Sequence, residues 1–324
     1  MEYLPAFTVQ RPETVEEAVA LFASSDNARY LAGGTDLLVN VRRGIEDPSL
    51  LVALERIGEL QAAEVTDEGL KLGAGLSLAR VAGMKAVAGM YRAVAEAAGA
   101  VAGPTHREYG TLGGNLCLDT RCIFYNQSEW WRASNNYCLK YRGEICHVAP
   151  GGKRCFAAFS GEVAPALLVH EAEVEIASVE GRRRMPLSEL YRNDGMDHLT
   201  LAPGELLVAV HLPVATAGLP SAYAKSRVRG SIDFPLAGVA VALKRDGGGA
   251  ADLRIALTGV SPYPFLVGRL DELAEHGLDE TALDALRDRV QSQAKAMKTT
   301  TMAPHYRRRV AGALARRLTA TLAA

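Results

Sequence analysis

Two glycine pairs constrain this chain more than any other feature. Arg29-Tyr30-Leu31-Ala32 reads as a short strand running straight into Gly33-Gly34-Thr35-Asp36-Leu37-Leu38. A second loop, Gly110-Thr111-Leu112-Gly113-Gly114-Asn115-Leu116, has the same character: a hydroxyl, two glycines, then an amide side chain. Paired glycines after a strand let the backbone turn with its amides exposed and no Cβ in the way. Exposed amides at the start of a helix form an anion site. Two such loops, about 80 residues apart, can grip one diphosphate from both sides, although each alone is also an ordinary tight turn. Neither matches G-x-G-x-x-G or G-x-x-x-x-G-K-[ST], which argues against the classical NAD and ATP folds.

A length of 324 residues makes two or three domains at roughly 100–200 residues each. With 48% hydrophobic and 23% charged residues, bulk disorder is excluded. A net charge of −1 gives no reason to expect nucleic acid or a membrane surface as partner. No apolar run approaches the roughly 18 residues of a spanning helix. Met1-Glu2-Tyr3-Leu4-Pro5 lacks the basic and apolar regions of a secretory signal, so a cytoplasmic protein is expected.

Along the chain, Thr14 and Glu17 form a capping box for a helix whose apolar face is Val15, Ala18, Val19 and Phe22. Leu50–Leu54 reads as a buried strand, and residues 60–76 as a hairpin turning at Asp67-Glu68-Gly69. Residues 88–100 have helical periodicity, with Pro104 ending that element. Val163–Val179 and Leu206–Leu212 are strand-like, and Pro213 to Pro220 reads as a linker. Strands follow around Tyr223–Val228, Ala237–Leu243 and Leu253–Val260. Helices near Thr281–Met297 and Ala303–Leu322 close the chain, the last with a core stripe of Tyr306, Val310, Leu314 and Leu318. Mixed strands and helices in separate blocks fit an α+β protein better than a regular βαβ wind.

Residues 118–157 differ from the rest. They hold seven of the chain's 20 aromatics, both tryptophans (Trp130, Trp131) among them, and four of its five cysteines. Cys122, Cys138, Cys146 and Cys155 are separated by 15, 7 and 8 residues, and Cys117 sits just outside. An odd cysteine count in a cytoplasmic chain argues against disulfides. A zinc Cys₄ site is credible but usually shows a C-x₂₋₄-C knuckle, which is missing here. An iron–sulfur cluster also takes four thiolates and draws them from wide spacings. Spacing leaves zinc and iron–sulfur open.

Ala32-Gly33-Gly34-Thr35-Asp36 together with Thr111-Leu112-Gly113-Gly114-Asn115 resembles the FAD-binding subunit of the xanthine oxidase (molybdenum hydroxylase) family. Ala102-Gly103-Pro104-Thr105 fits that family's approach to its second loop, and Gly204-Glu205-Leu206-Leu207 through Tyr223-Ala224-Lys225 its passage into a C-terminal domain. The resemblance implies an α+β fold: a two-part FAD-binding domain of the vanillyl-alcohol-oxidase-like (PCMH) type, then a C-terminal α+β domain of the CO dehydrogenase flavoprotein type. The expected boundaries are 1–55 and 56–215 for the two FAD-binding parts, with 118–157 inserted, and 216–324 for the last domain. By the same resemblance, Leu31, Ala32, Gly33, Gly34, Thr35, Asp36 and Leu37 cradle the FAD diphosphate, and Thr111, Gly113, Gly114 and Asn115 complete the grip. Glu162, in Glu162-Val163-Ala164-Pro165, stands where the family places an Asp for adenosine contacts, and Leu207 and Lys225 match positions on the flavin side.

The insert itself resembles that of the flavin subunit of 4-hydroxybenzoyl-CoA reductase within this family. The resemblance rests on Asp119-Thr120-Arg121-Cys122, Asn126-Gln127-Ser128-Glu129-Trp130-Trp131-Arg132, Tyr137-Cys138-Leu139-Lys140-Tyr141 and Cys146-His147-Val148. It implies a 4Fe–4S cluster on Cys122, Cys138, Cys146 and Cys155, shielded by the paired tryptophans, with Cys117 a packed residue. It further implies a large subunit with a molybdenum cofactor and a small one with two 2Fe–2S clusters, in a dimer of heterotrimers. Electrons would come from ferredoxin. Six basic residues in the insert (Arg121, Arg132, Lys140, Arg142, Lys153, Arg154) against three acidic ones suggest a positive docking face for that donor. No residue set looks built for substrate chemistry, so no catalytic residue is expected on this chain. Two other readings stand beside this one: the flavin subunit of an oxidative hydroxylase, and a flavin-free zinc-loop interaction protein.

Overall fold

The computed structural model describes residues 4–246, 249–274 and 277–324, and Met1–Tyr3 of the segment read for a secretory signal lie outside them. Its first unit comprises β1 (Thr8–Gln10), α1 (Val15–Ala23), β2 (Ala28–Leu31), α2 (Leu37–Arg42) and β3 (Leu50–Ala53). The three strands form a parallel sheet in the order β1-β3-β2. Every residue of β3 is buried, as expected of a central parallel strand covered on both faces. Thr14 caps α1 by accepting from the Glu17 amide at 3.1 Å. Glu17 accepts in turn from the Glu13 amide, one residue before the position a capping box uses.

The second unit is a five-stranded sheet, β4-β5-β8-β6-β7, with helices over it. β4 (Ala63–Thr66) and β5 (Gly69–Gly73) form the expected hairpin. Helices α3 (Leu78–Gly83), α4 (Lys85–Met90), α5 (Arg92–Ala100), α6 (Pro104–Tyr109) and α7 (Leu112–Leu116) follow. After α8 (Glu129–Ser134) in the insert come α9 (Val163–Leu168), β6 (Glu173–Ser178), β7 (Gly181–Pro186) and β8 (Leu206–Pro213). The largest core joins this sheet to α3, α5 and α9.

Two expectations are corrected here. Pro104 does not end a helix but opens α6 at its first turn, where a missing N–H costs nothing. Val163–Val179 is not one strand: Val163–Leu168 is a helix buried on every side, and an all-apolar run carries no period that tells helix from strand.

The third unit is an antiparallel sheet, β12-β11-β10-β9, formed by β9 (Ser221–Ser226), β10 (Ala237–Asp246), β11 (Gly249–Thr258) and β12 (Phe265–Leu266). α10 (Asp271–Ala274), α11 (Glu280–Gln293) and α12 (Pro304–Ala323) complete it, and α12 packs on α11 and β10. Of the expected α12 stripe, Leu314 is buried and Val310 and Leu318 pack against the same core, whereas Tyr306 stays outside it. Tyr306 is 40% exposed, while Arg307, Ala311, Leu314 and Ala315 are buried. Charge alone had kept Arg307 out of the apolar pattern. Among the described residues, no helix is long and apolar enough to cross a membrane.

Candidate functional site

The two glycine loops face each other across a cavity of about 320 Å³. Their glycines are required by close approach. A Cβ on Gly33 would overlap the Tyr109 carbonyl, and one on Gly113 would lie 2.8 Å from the Ala74 Cβ. Gly34 has φ +69°, the left-handed region that favours glycine. Thr111 caps α7 by accepting from the Gly114 amide at 3.0 Å, which fixes how the second loop presents its backbone.

Of the residues singled out from sequence, Ala32, Gly33, Gly34, Thr35, Asp36, Leu37, Thr111, Gly114, Asn115 and Glu162 line this cavity. Leu31 lines an adjoining one of about 480 Å³, together with Gly33 and Thr111. Gly113, Leu207 and Lys225 line neither. Gly113 backs onto Ala74 and Leu207. Lys225, although placed on the flavin side by resemblance, has its ammonium committed to Glu162 Oε1 at 2.7 Å and the Asp233 carbonyl at 3.0 Å. Asn115 ties this pair to the second loop: its Oδ1 accepts from the Val163 amide at 3.0 Å and its Nδ2 donates to Glu162 Oε2 at 3.3 Å. Burial holds the Glu162 carboxyl above the ordinary carboxylate range despite the nearby ammonium.

A second cavity of about 580 Å³ continues the first, sharing Thr35, Asp36, His106, Glu162 and Phe234 and reaching Arg121, Cys122 and Thr299. The cleft therefore runs from the glycine loops to the insert. Arg121 joins them. Its guanidinium pairs with Asp36 and lies 4.7 Å over the Phe234 ring. Burial lowers its pKa to about 10, which leaves it charged at neutral pH. Nothing local in the sequence announced His106, Phe234 or this use of Arg121, because their partners lie far away along the chain.

The insert is pinned at its base, where Arg121 and Ala158 exchange backbone hydrogen bonds of 2.7 and 2.8 Å. Cys138, Cys146 and Cys155 are buried and Cys122 partly so. Cys122 lies within electrostatic reach of Cys138, Cys146, Cys155 and Lys140, and Cys155 also of Cys146 and Lys140. Burial pushes the Cys122 thiol up to about 11 and that of Cys155 up to about 12, so these two are weakly nucleophilic as free thiols. Among the described residues, no three His, Cys, Asp or Glu side chains converge tightly enough to hold one metal ion. A single tetrahedral zinc would need its sulfurs roughly 3.8 Å apart, given Zn–S of about 2.3 Å. The donor set itself, four cysteines of one insert of which three are buried, is of the chemical type that holds iron–sulfur clusters.

Several expectations about the insert are corrected. Three of its six basic residues, Arg121, Arg132 and Lys140, are held inward, which leaves only Arg142, Lys153 and Arg154 for the expected docking face. Lys140 is only 6% exposed, 2.5 Å from Asp119 and 4.3 Å over the Tyr125 ring. Arg132 is fully buried, donating to the carbonyls of Arg43 and Gly44 and to Glu129. The tryptophans do not both shield the cysteines: Trp130 is 77% exposed, and it is Ile45, Tyr125 and Tyr141 that pack with Cys122 and Cys138. His147 bonds the Tyr137 carbonyl at 2.5 Å. Cys117 packs against the main core, where burial raises its thiol to about 12.

A two-part domain whose glycine loops share one cleft, followed by an antiparallel sheet backed by helices, is the build of a flavin-binding electron-transfer subunit. Residues 5–215 match the FAD binding domain in molybdopterin dehydrogenase, and residues 221–322 the CO dehydrogenase flavoprotein C-terminal domain. The chain is 33% identical over 284 residues to the aldehyde oxidoreductase FAD-binding subunit PaoB of Escherichia coli strain K12, covering 85% of this chain and 87% of that one. It is 27% identical over 317 residues to the carbon monoxide dehydrogenase medium chain of Afipia carboxidovorans, covering 96% and 95%. In fold it matches reconstituted CO dehydrogenase from Oligotropha carboxidovorans with a TM-score of 0.81 at 24% identity, over 99% of each chain. The chain belongs to the FAD-binding medium subunits of the xanthine oxidase/CO dehydrogenase family of molybdenum hydroxylases.

Proposed function

We propose that this chain is the FAD and 4Fe–4S electron-transfer subunit of a molybdenum-containing reductase of the 4-hydroxybenzoyl-CoA type. The observation that carries this reading is the grouping of Cys122, Cys138, Cys146 and Cys155 in an insert joined to the first glycine loop by Arg121 and Asp36. Four thiolates hold such a cluster, and the cleft between the loops suits an FAD diphosphate met by backbone amides.

In this reading residues 31–37 with Thr111, Gly113, Gly114 and Asn115 hold the FAD, and the four cysteines hold the cluster. The two groups supply one- and two-electron transfer. The chain's own side chains bind and orient. Thr111 fixes the second loop, Asn115 and Lys225 hold the Glu162 carboxylate beside the cleft, and Leu207 supports Gly113 from behind. Lys225 acts on the flavin only through Glu162. The proposed boundaries are 1–55, 56–215 with the 118–157 insert, and 216–324.

Reduced ferredoxin is the proposed donor. The partners are a large molybdenum-cofactor subunit and a small subunit with two 2Fe–2S clusters, in a cytoplasmic dimer of heterotrimers. On the large subunit, two electrons and two protons would replace the phenolic C–O bond of an aromatic CoA thioester with C–H and release water. The names of the aldehyde and carbon monoxide relatives favour a second reading, in which the same architecture serves an oxidation.

Iron, acid-labile sulfide, zinc and flavin on anaerobically purified protein test the cofactor part. About four irons and four sulfides with one FAD are expected; zinc in place of iron refutes it. Turnover of 4-hydroxybenzoyl-CoA by the assembled enzyme with reduced ferredoxin tests the direction, and oxidation of an aldehyde or heterocycle without that reduction establishes the second reading.

A further inference from the structure

Arg307 projects from α12 into the protein and is 1% exposed. It donates to the carbonyls of Leu236 (3.0 Å), Met297 (2.8 Å) and Gly259 and to Thr299 Oγ1 (2.9 Å). All four acceptors are neutral. The other strongly buried cations have carboxylates: Arg121 has Asp36, Arg132 has Glu129, Lys140 has Asp119 and Lys225 has Glu162. Among the described residues, no carboxylate pairs with Arg307. A buried charge without a counter-charge is costly, which directs attention to what could supply the opposite sign.

The hydrogen bonds of Arg307 lead towards the cysteine pocket. Thr299, which accepts from Arg307, gives its own carbonyl to the amide of Ile123 at 2.9 Å, and Ile123 follows Cys122 directly. Cys122 and Thr299 also line the same cavity. Arg307 is thus two hydrogen bonds, through Thr299, from the residue that follows Cys122, and a thiolate centre in that pocket would supply the opposite charge.

We propose that Arg307 is the counter-charge of the anionic centre held by the four cysteines, a positioning residue that raises the centre's reduction potential and favours its retention. The inference rests on the cluster reading given above. Reduction adds one negative charge to a centre that four thiolates already make electron-rich, and a fixed cation in a low-dielectric surround favours that step. Arg307 does this from the third unit of the fold, through a shared hydrogen-bonded loop, without touching the metal.

The test is an EPR-monitored redox titration of the full-length chain in its purified assembly, comparing wild type with Arg307→Met, Arg307→Gln and Arg307→Lys. Arg307→Gln keeps an amide donor and serves as the neutral variant if Met at this position does not fold. In the neutral variants the reduced-to-oxidised ratio of the cluster at fixed potential should fall about tenfold, equal to about 59 mV for one electron. Iron loss to a chelator should also accelerate, and Arg307→Lys should restore most of both. An unchanged potential in a neutral variant with full iron and sulfide overturns the inference. So does an equal shift in Arg307→Lys, which would assign the effect to lost hydrogen bonds rather than charge. Wild-type protein without iron overturns the cluster reading itself, a result told apart by metal analysis before any titration.

Discussion

The Lys225 ammonium stands 2.7 Å from Glu162 Oε1, with the two side chains 4% and 2% exposed. Lys225 belongs to β9 in the third unit and Glu162 precedes α9 in the second, so the pair stitches two units together behind the cleft. Asn115 extends the stitch to the second glycine loop. A lysine in this position reads in sequence as a surface charge or a flavin contact. It is instead the sealed partner of a carboxylate that lines the cavity.

Breaking this pair from one side leaves an uncompensated buried charge. Glu162→Gln and Lys225→Met should each destabilise the protein by about 3–5 kcal/mol, read from denaturant unfolding. The double variant should regain a large part of that loss. Strict additivity of the single effects would show that the charges do not depend on each other.

Gly33 sets the spacing of the cleft. Because a Cβ there meets the backbone of Tyr109 and not a yielding side chain, Gly33→Ala should push the first loop from α6 and weaken FAD binding at least about tenfold, roughly 1.4 kcal/mol. Flavin fluorescence on reconstitution measures this. Gly83→Ala, with nothing within 4 Å of the added Cβ, is the control and should bind FAD like wild type.

What the sequence made legible follows from the range of the interactions. Short-range signals survived: the Thr14 cap, the hairpin at Asp67-Glu68, the buried β3 and the two loops were readable because their partners lie within a few residues or because glycine has few other reasons to be paired. The run Val163–Leu168 was misread because full burial erases periodicity. Arg121, Arg132 and Lys140 read in sequence as charges of an exposed docking face and Arg307 carries no local signal, since a cation is buried only by partners from other segments. Their carboxylates and carbonyls stand up to 89 residues away.

Acid should reveal the buried histidines. His170 is fully buried against Tyr91, with Nε2 3.1 Å from Ser221 Oγ, and burial lowers its pKa to about 4. The unfolded value is about 6.5, so the folded state binds its proton less readily. The resulting stability is present in full above about pH 6.5 and is lost as pH falls towards 4, a share on the order of 3 kcal/mol. His170→Gln should flatten the fall of the unfolding midpoint between pH 6.5 and 4. His198, also lowered to about 4, keeps the slope from vanishing. An identical slope in the variant would show that His170 is not held neutral.

The five cysteines should divide sharply in their effect on iron. Cys122 is within electrostatic reach of Cys138, Cys146 and Cys155, and Cys155 of Cys146, whereas Cys117 packs against the main core beside the second glycine loop. Serine at any of the four should lower iron from about four per chain to three or fewer, because a hydroxyl is a poor substitute for a thiolate ligand. Cys117→Ser should keep the full iron content, since its thiol is a small packed group. The same variants separate cluster from flavin. On the proposed reading FAD is held by the glycine loops and not by the cysteines, so cluster-free Cys146→Ser should still take up one FAD per chain. Flavin loss in step with iron would mean that the Arg121–Asp36 link depends on a filled cysteine pocket, and the two sites would then have to be treated as one folding unit.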